Sequence, residues 1–245
     1  MRLVLVSILA LATSGCGDSG SDDELLVSAA ASLTDAFAAV ADVFEQANPG
    51  VDVILNLAGS STLREQILEG SPTDVFASAN LSTMQQVIEA GVTSGPPRIF
   101  AENRLQIAVP AGNPGGLVGL DDLANEVLLV GLCAEGVPCG DLARTVLVEA
   151  GVEVSVDTNE PDVRSLLSKI EAGELDVGIT YVTDVISTDG AVEGVDIPEE
   201  LNGVAAYSIV ALEGAGDADL ARAFIEFVLS RDGQEIIGEL GFSSP

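Results

Sequence analysis

Short apolar runs of strand length alternate with segments of helical periodicity from residue 25 onward. The strand-like runs are 25–29, 51–58, 74–78, 105–110, 127–132, 152–156, 177–182 and 204–212. The helical segments are 33–47, 63–69, 81–90, 141–150, 163–172, 218–229 and 234–240. Because this alternation, with few hairpin turns, is typical of βαβ units, it predicts an α/β protein with a parallel-rich sheet flanked by helices.

The alternation is weakest in two segments, 96–103 and 193–203, where helix starts and stops are hardest to recognise. We interpret both as crossings between two α/β lobes. The first lobe then comprises residues 25–103 and 204–245, and the second comprises 104–203. This arrangement leaves a cleft between the lobes, and small ligands favour clefts at domain interfaces.

Acidic residues dominate the ionisable side chains: 39 Asp or Glu stand against 9 Lys or Arg, for a formal net charge of −30. So few cations cannot form the basic surface that nucleic acids or anionic membranes require. The chain has no His, which excludes Ser-His-Asp and Cys-His catalytic sites and imidazole metal ligands. Its one lysine, Lys169, does not lie in a P-loop motif. We therefore predict no enzyme activity, no cofactor and no free metal cation, and interpret the charge as a solvated acidic surface.

The first residues have the pattern of an export signal. Arg2 precedes an apolar stretch, 3–12, that is too short to span a membrane. Small residues then lead into Cys16, which resembles a bacterial lipobox whose cysteine is acylated. We predict a signal peptide over 1–15, a lipidated Cys16 and a flexible tether over 16–24, which together place the protein on the outer face of the cytoplasmic membrane or in the periplasm. The alternative is ordinary cleavage at the end of the same stretch, which gives a secreted protein without lipid.

Export bears on the other two cysteines, Cys133 and Cys139, which lie close together in the sequence. In an oxidising compartment such a pair is by default a disulfide. Two thiols without His form at most half of a zinc site, so a structural disulfide is the preferred interpretation. A free thiol at Cys139 is the alternative.

Polar residues stand where four of the predicted strands end and helices begin. They are Ser32 after the first strand, segment 59–62 (GSST) after the second, segment 133–141 with both cysteines, and segment 159–162 (NEPD). A helix N-terminus offers unpaired N–H groups and the positive end of the helix dipole, so it can bind an anion without a cation. In a parallel sheet these N-termini lie at the carboxyl ends of the strands, where α/β proteins bind ligands. The alternative is that Ser32, and Ser60 or Ser61, only cap their helices.

Several of these segments resemble the substrate-binding proteins of molybdate and tungstate ABC importers. The motifs that carry the resemblance are 29–34 (AAASLT), 59–63 (GSSTL), 72–79 (PTDVFASA), 137–140 (VPCG), 162–164 (DVR) and 178–181 (GITY). The C-terminal segments 224–230 and 233–242 are common to many type II periplasmic binding proteins. The resemblance covers about 25–245 and implies a two-lobed type II fold that closes on a tetrahedral oxyanion in the cleft between its lobes.

The resemblance also implies which residues bind the anion. Ser32 and Ser60 would each give a hydroxyl and a backbone N–H, Cys139 and Val163 would give backbone N–H groups, and Tyr181 would give its phenol. Many of these relatives have Ala in place of Cys139, but a backbone donor tolerates that change. Neutral donors suit a dianion that only accepts hydrogen bonds, and they penalise a protonated anion such as phosphate.

By the same resemblance, the protein is expected to deliver molybdate, and tungstate, to the permease subunits of an ABC transporter. It would act as a monomer, bind molybdenum only as the oxyanion, and contact the membrane only through its lipid. Within the same class of protein, sulfate, phosphate or a small organic anion is the alternative ligand. An alternative of another class is a secreted serine hydrolase that uses Ser32, Ser60 or Ser61. It lacks a His base, a Gly-x-Ser-x-Gly turn and a Ser-x-x-Lys pair, since Leu166 stands where Lys169 would need a serine.

Overall fold

The computed structural model describes residues 23–245. The predicted signal peptide, the lipidation at Cys16 and the tether up to residue 22 lie outside these residues. The tether prediction is wrong at its end, because Asp23 and Glu24 pair with Val51 and Asp52 and so belong to the first strand. Within 23–245, no helix combines the length and the apolar character needed to cross a membrane.

Strands and helices follow one another largely as the sequence predicts. The first six are β1 (Asp23–Ala30), α1 (Thr34–Ala47), β2 (Val51–Ala58), α2 (Ser60–Leu68), β3 (Val75–Ser78) and α3 (Leu81–Glu89). The middle of the chain forms β4 (Arg98–Pro110), β5 (Val130–Cys133), α4 (Pro138–Ala150), β6 (Thr158–Glu160), α5 (Val163–Glu171), β7 (Val177–Tyr181), α6 (Val182–Ile186) and β8 (Val192–Asp196). The last elements are β9 (Val204–Ala211), α7 (Ala218–Leu229) and α8 (Arg231–Glu239), and short 3-10 turns lie at Ala31–Leu33 and Leu120–Ala124.

The long strand β4 joins two groups of strands. Its residues 98–104 pair with β9, and its residues 105–110 pair with β7 and β8. We call β2-β1-β3-β9 with the first part of β4 the first sheet, and the second part of β4 with β8 and β7-β5-β6 the second sheet. Strand β1 is parallel to β2 and β3, and β5 is parallel to β6 and β7, whereas β4 and β9 are antiparallel to their neighbours. The α/β architecture is as predicted, and the antiparallel strands make it a mixed sheet.

An apolar core extends across both sheets and fixes the residues near the junction. Tyr207 of β9 is fully buried there. Its ring lies 5.4 Å from that of Phe242, 6.1 Å from that of Tyr181 and 6.3 Å from that of Phe100, measured between centroids. Edge-to-face contacts at these distances are favourable, so the cluster holds the tyrosines of both sheets in defined positions.

Three parts of the chain differ from the elements predicted. Residues 152–156 alternate in burial as a strand does, but the chain first pairs with β5 at Thr158, so this predicted strand is wrong. The helix α6 and the strand β8 have no counterpart in the predictions, because α6 has only five residues and β8 carries Gly194 between acidic positions. The strand predicted over 105–110 begins earlier, at Arg98, so most of the segment interpreted as a crossing between lobes, 96–103, is part of β4.

Candidate functional site

All five residues that the sequence analysis assigns to an anion site line one narrow cavity, which lies between the two sheets. We call its lining from Ala30, Ala31, Ser32, Gly59, Ser60 and Ala79 the first-sheet side. The second-sheet side consists of Val137, Pro138, Cys139, Asp162, Val163 and Tyr181. The structure therefore brings the predicted residues together, and their contact with an anion stays a prediction.

Ser32 is buried in the 3-10 turn between β1 and α1. Its Oγ lies 2.9 Å from the hydroxyl of Tyr207. The alternative in which Ser32 caps α1 is wrong, because that helix begins at Thr34 and no side chain caps it. Its hydroxyl instead lies at the cavity wall with a phenol as its partner.

Ser60 is the first residue of α2, and its side chain does not cap that helix either. Its Oγ accepts a hydrogen bond of 3.0 Å from the backbone N–H of Ala79. Since a backbone N–H can only donate, the hydrogen of Ser60 is left for another acceptor. Both serines are thus held by tertiary contacts rather than by their own helices.

Gly59, which precedes Ser60, marks the closest approach of the two sides of the cavity. A Cβ at this position would lie 2.5 Å from the backbone oxygen of Pro161 and 3.4 Å from the Cβ of Asp162. The first distance is shorter than any real carbon–oxygen contact of this kind, so only glycine fits this position. The two sides are therefore in direct contact at the rim of the cavity.

Cys139 is the second residue of α4 and forms the predicted disulfide with Cys133, the last residue of β5. The Cα atoms are 5.8 Å apart, a usual separation for a disulfide. The alternative of a free thiol at Cys139 is wrong. Because Pro138 before it has no N–H, the backbone N–H of Cys139 is among the first donors that α4 offers at the cavity.

Val163 begins α5, and Asp162 caps that helix. The Asp162 carboxylate accepts hydrogen bonds from the N–H of Ser165 at 2.9 Å and from its hydroxyl at 3.2 Å. The carboxylate is therefore occupied at the helix start, although Asp162 lines the cavity. The Val163 side chain is buried in the core, so what this segment offers the cavity is the positive end of a helix dipole.

Tyr181 ends β7 and is 1% exposed, and its hydroxyl has no hydrogen-bond partner among the described residues. Burial, with smaller effects of Tyr207 and Asp184, raises the pKa of the Tyr181 phenol well above its ordinary value. The phenol consequently keeps its hydrogen and can act as a donor. An unpaired buried hydroxyl costs about 1–3 kcal/mol, which a ligand oxygen at the cavity would offset.

Two charged residues link the two sides behind Tyr181. Asp184 is fully buried and accepts a 3.0 Å hydrogen bond from the N–H of Tyr181. Burial raises the pKa of the Asp184 carboxyl to about 7, an effect that the positive charge of Arg164 opposes. The Nε of Arg164 lies 3.8 Å from Asp184, and its Nη2 forms an ion pair with Asp35 of α1. Arg164 is thus shared between acids of both sheets rather than directed at the cavity.

Tyr207 is the residue of this site that the sequence analysis did not identify. It lies inside the apolar strand β9, where a single tyrosine is expected to pack in a core. Its partner Ser32 is 175 positions away, so no local motif joins the two. The chain has only two tyrosines, and both lie here, but composition alone does not indicate that.

Comparison with known proteins agrees with this geometry. The family of bacterial extracellular solute-binding proteins matches residues 25–243. The chain belongs to that family. Among its relatives, the molybdate-binding protein ModA of Mycobacterium tuberculosis is 36% identical over 234 residues, which cover 96% of this chain and 90% of the relative. The molybdate-binding protein ModA of Escherichia coli is 29% identical over 248 residues, with 96% and 95% covered.

Solved structures of similar fold include the periplasmic molybdate-binding protein of Azotobacter vinelandii. It has a TM-score of 0.78 and 19% identity, with 90% of this chain and 99% of that chain covered. The sulfate-binding protein SubI of Mycobacterium tuberculosis has a TM-score of 0.81 and 19% identity, with 91% and 87% covered. At these identities the likeness concerns the fold, and it confirms the predicted type II periplasmic binding protein fold.

The cavity of this extracellular solute-binding protein suits a small anion. No Lys or Arg is among its described lining residues, and helix N-termini and hydroxyls provide the donors. Within 23–245, no group of three or more Cys, Asp or Glu side chains is arranged to hold a metal ion. The chemistry that the site offers is therefore hydrogen-bond donation by neutral groups.

Proposed function

We propose that this solute-binding protein captures molybdate, and also tungstate, outside the cytoplasm and delivers it to an ABC transporter. The observation that carries the proposal is the convergence of Ser32, Ser60, Cys139, Val163 and Tyr181 on one cavity. Relatives that are named molybdate-binding proteins and align with nearly the whole chain support the choice of ligand.

The donors are arranged as an acceptor-only ligand would require. The two serine hydroxyls each have a protein partner at their oxygen, the α4 and α5 N-termini supply N–H groups, and the Tyr181 hydroxyl is unpaired. Five neutral donor positions penalise an anion that carries a proton wherever a donor hydrogen and the hydrogen of the anion would face each other. Molybdate, tungstate and sulfate carry none at neutral pH, whereas phosphate carries at least one.

Ligand capture would involve closure of two lobes, 25–103 with 204–245 and 104–203. This division is supported by β4, which changes its pairing partners between Arg104 and Leu105, and by β9, which begins at Val204. The close approach of Gly59 to Pro161 corresponds to a closed cleft. In this proposal the hinge lies in β4 and in the segment before β9, and the transporter recognises the closed form.

The remaining parts of the proposal concern the cell. The signal peptide over 1–15 and acylation of Cys16 would anchor the monomeric protein outside the cytoplasmic membrane. We propose no catalytic step, because Ser32 and Ser60 contact a phenol and a backbone N–H but no basic side chain among the described residues. Ester turnover that disappears in Ser→Ala variants would instead support the hydrolase.

The test is thermal unfolding of the purified protein with molybdate, tungstate, sulfate or phosphate at one millimolar-range concentration. Chloride at matched ionic strength is the control, since salt screens the −30 charge. A ligand at 100 times its Kd stabilises by about 2.7 kcal/mol, roughly 5–10 °C for this chain length. We expect this shift with molybdate and tungstate only. A shift with sulfate or phosphate alone would assign another oxyanion, and no shift beyond chloride would contradict the proposal.

A further inference from the structure

The serine hydroxyls of the site do not by themselves determine which protonation state of an anion is bound. A hydroxyl can donate one hydrogen bond and accept others, so by itself it does not distinguish an unprotonated anion from a protonated one. At Ser60 the backbone N–H of Ala79 occupies the oxygen, at 3.0 Å, and this donor cannot reverse its role. The Ser60 hydrogen is consequently the group available to a ligand.

At Ser32 the corresponding partner is a side chain. The Tyr207 hydroxyl lies 2.9 Å from Ser32 Oγ, and by distance either group can be the donor. Tyr181 and Asn103 also adjoin the Tyr207 phenol, but among the described residues only Ser32 meets it in hydrogen-bond geometry. The direction of this one bond therefore decides whether Ser32 donates to the cavity.

Two properties of Tyr207 fix that direction when an anion is bound. Burial and the charge of Asp184 raise the pKa of the Tyr207 phenol well above its ordinary value, so the phenol keeps its hydrogen. That hydrogen is fully buried and needs an acceptor, since a buried donor left unpaired is costly. If Ser32 donates to the anion, its oxygen is free to accept from Tyr207, and every hydrogen of the pair is used.

We propose that Tyr207 is a positioning residue that donates its hydroxyl hydrogen to Ser32 Oγ, turns the Ser32 hydrogen toward the ligand, and thereby selects anions that carry no proton. The inference rests on the proposed function and extends it to a residue that lies outside the cavity lining. A protonated anion that donated to Ser32 would leave the Ser32 hydrogen without an acceptor, because Tyr207 already donates to the same oxygen. Chains of hydrogen bonds also strengthen one another, so the Ser32 donor gains strength from Tyr207.

The second tyrosine provides a matched contrast. Tyr181 and Tyr207 are both buried, and their ring centroids are 6.1 Å apart. The Tyr181 hydroxyl has no partner in the described protein and lines the cavity, so it is placed to contact the ligand directly. Tyr207 acts only through Ser32. The same Tyr→Phe change should therefore have different consequences at the two positions.

The first part of the test is a double-mutant cycle with molybdate affinity measured by isothermal titration calorimetry. We expect Tyr207→Phe to weaken binding about three- to tenfold, the value of one hydrogen bond. In a Ser32→Ala background, Tyr207→Phe should not lower molybdate affinity further, because the hydroxyl that Tyr207 orients is absent. Tyr181→Phe, the control, should weaken binding by a similar factor in both backgrounds. Equal effects of Tyr207→Phe with and without Ser32 would overturn the inference.

The second part measures selectivity, which a loss of packing alone would not alter in this way. Phosphate and sulfate, at concentrations well above the millimolar range, compete with bound molybdate in wild type and in Tyr207→Phe at pH 7. We expect the affinity for phosphate relative to sulfate to rise in the variant, because Tyr207 no longer holds the Ser32 hydrogen toward the ligand and the hydroxyl can rotate to present its oxygen. Ser32→Ala should shift the ratio of phosphate to sulfate affinity in the same direction. Thermal unfolding shows whether Tyr207→Phe folds, and if it does not, Ser32→Ala replaces it in this test. An unchanged ratio in both variants overturns the role of Tyr207 while the proposed function stands. A wild-type protein that binds no oxyanion overturns both.

Discussion

The two sides of the cavity would present different chemical groups to a bound anion. On the first-sheet side the groups are serine hydroxyls, and each serine oxygen already has a partner from elsewhere in the fold. On the second-sheet side Cys139 and Val163 stand at helix N-termini, with the side chains in a disulfide and in the core. Side-chain identity should therefore matter at the serines and at Tyr181, and backbone position at the N-termini of α4 and α5.

This contrast has a physical reason. A hydroxyl must be oriented by a partner before it presents a hydrogen, and so it depends on contacts distant in sequence. A backbone N–H in the first turn of a helix is oriented by the helix itself. Substitutions that keep α4 and α5 in place should therefore spare the backbone donors at Cys139 and Val163, and the predictions below are ordered by the change in anion affinity that we expect.

The largest effect is expected from Ser60→Ala. The variant removes a donor to the charged ligand, worth about 1.5–3 kcal/mol, and should weaken molybdate binding by roughly one to two decades. It also leaves the N–H of Ala79 unpaired, so Tm should fall by a few degrees without loss of the fold. Calorimetric titration and thermal unfolding measure the two effects. Ser168→Ala, an exposed serine on α5, is the control and should change neither.

Gly59→Ala should weaken binding roughly tenfold, because the new Cβ would lie 2.5 Å from the Pro161 oxygen and push the two sides apart. If the lobes open without ligand as proposed, the open form would lack this contact, so Tm without ligand should change little. Gly119→Ala is a matched control, since Gly119 also precedes a helical turn but has no atom within 4 Å of its Cβ position. Equal affinities in the two variants would show that the sides need not approach this closely.

The sequence predicts most strands and helices because local periodicity reports which face of an element is buried. The resemblance to molybdate and tungstate binding proteins also predicts five residues that the structure brings to one cavity, whereas strand-end topology alone predicts only that polar helix starts lie near one another. The sequence does not predict that Tyr207 is the partner of Ser32, or that Gly59 meets Pro161. The first contact depends on which strands are neighbours in the first sheet, and the second on how the two sides of the cavity approach each other. Single-sequence patterns carry no record of such contacts, which for Ser32 and Tyr207 join residues 175 positions apart.

Removing the disulfide tests whether the backbone donor at Cys139 depends on the covalent link to Cys133. The Cys133→Ala, Cys139→Ala double variant should lose about 2 kcal/mol of stability, the chain-entropy value for so short a ring. Molybdate affinity should fall less than threefold, because α4 keeps its N-terminus in place through its own packing. Thermal unfolding with and without reductant measures the stability, and only wild type should respond to the reductant. If the free energy of molybdate binding fell by more than the free energy of unfolding, the disulfide would be needed to position the donor at Cys139.

Asp184→Asn tests how the buried acid behind Tyr181 affects the fold. Folding raises the pKa of Asp184 from 3.8 to about 7. Between these two values the carboxyl is protonated in the folded protein and ionised in the unfolded chain. The contribution of Asp184 to stability therefore falls as pH rises from about 4 to about 7. Asn keeps an acceptor for the Tyr181 N–H and does not ionise. The Tm of the variant relative to wild type should therefore increase from pH 4 to pH 8 by a few degrees. The exposed Asp121→Asn should give a constant difference, and a constant difference for Asp184 would contradict the prediction.

The smallest change in affinity is expected from Val163→Ala. The side chain is 3% exposed and belongs to the core, so its truncation should cost about 1–3 kcal/mol of stability. The backbone N–H and the Asp162 cap of α5 remain, so molybdate affinity should change less than about twofold. Val146→Ala, at a buried position inside α4, should lower Tm similarly. A tenfold loss of affinity in Val163→Ala alone would mean that the helix N-termini also depend on their side chains, and the contrast with the serines would then fail.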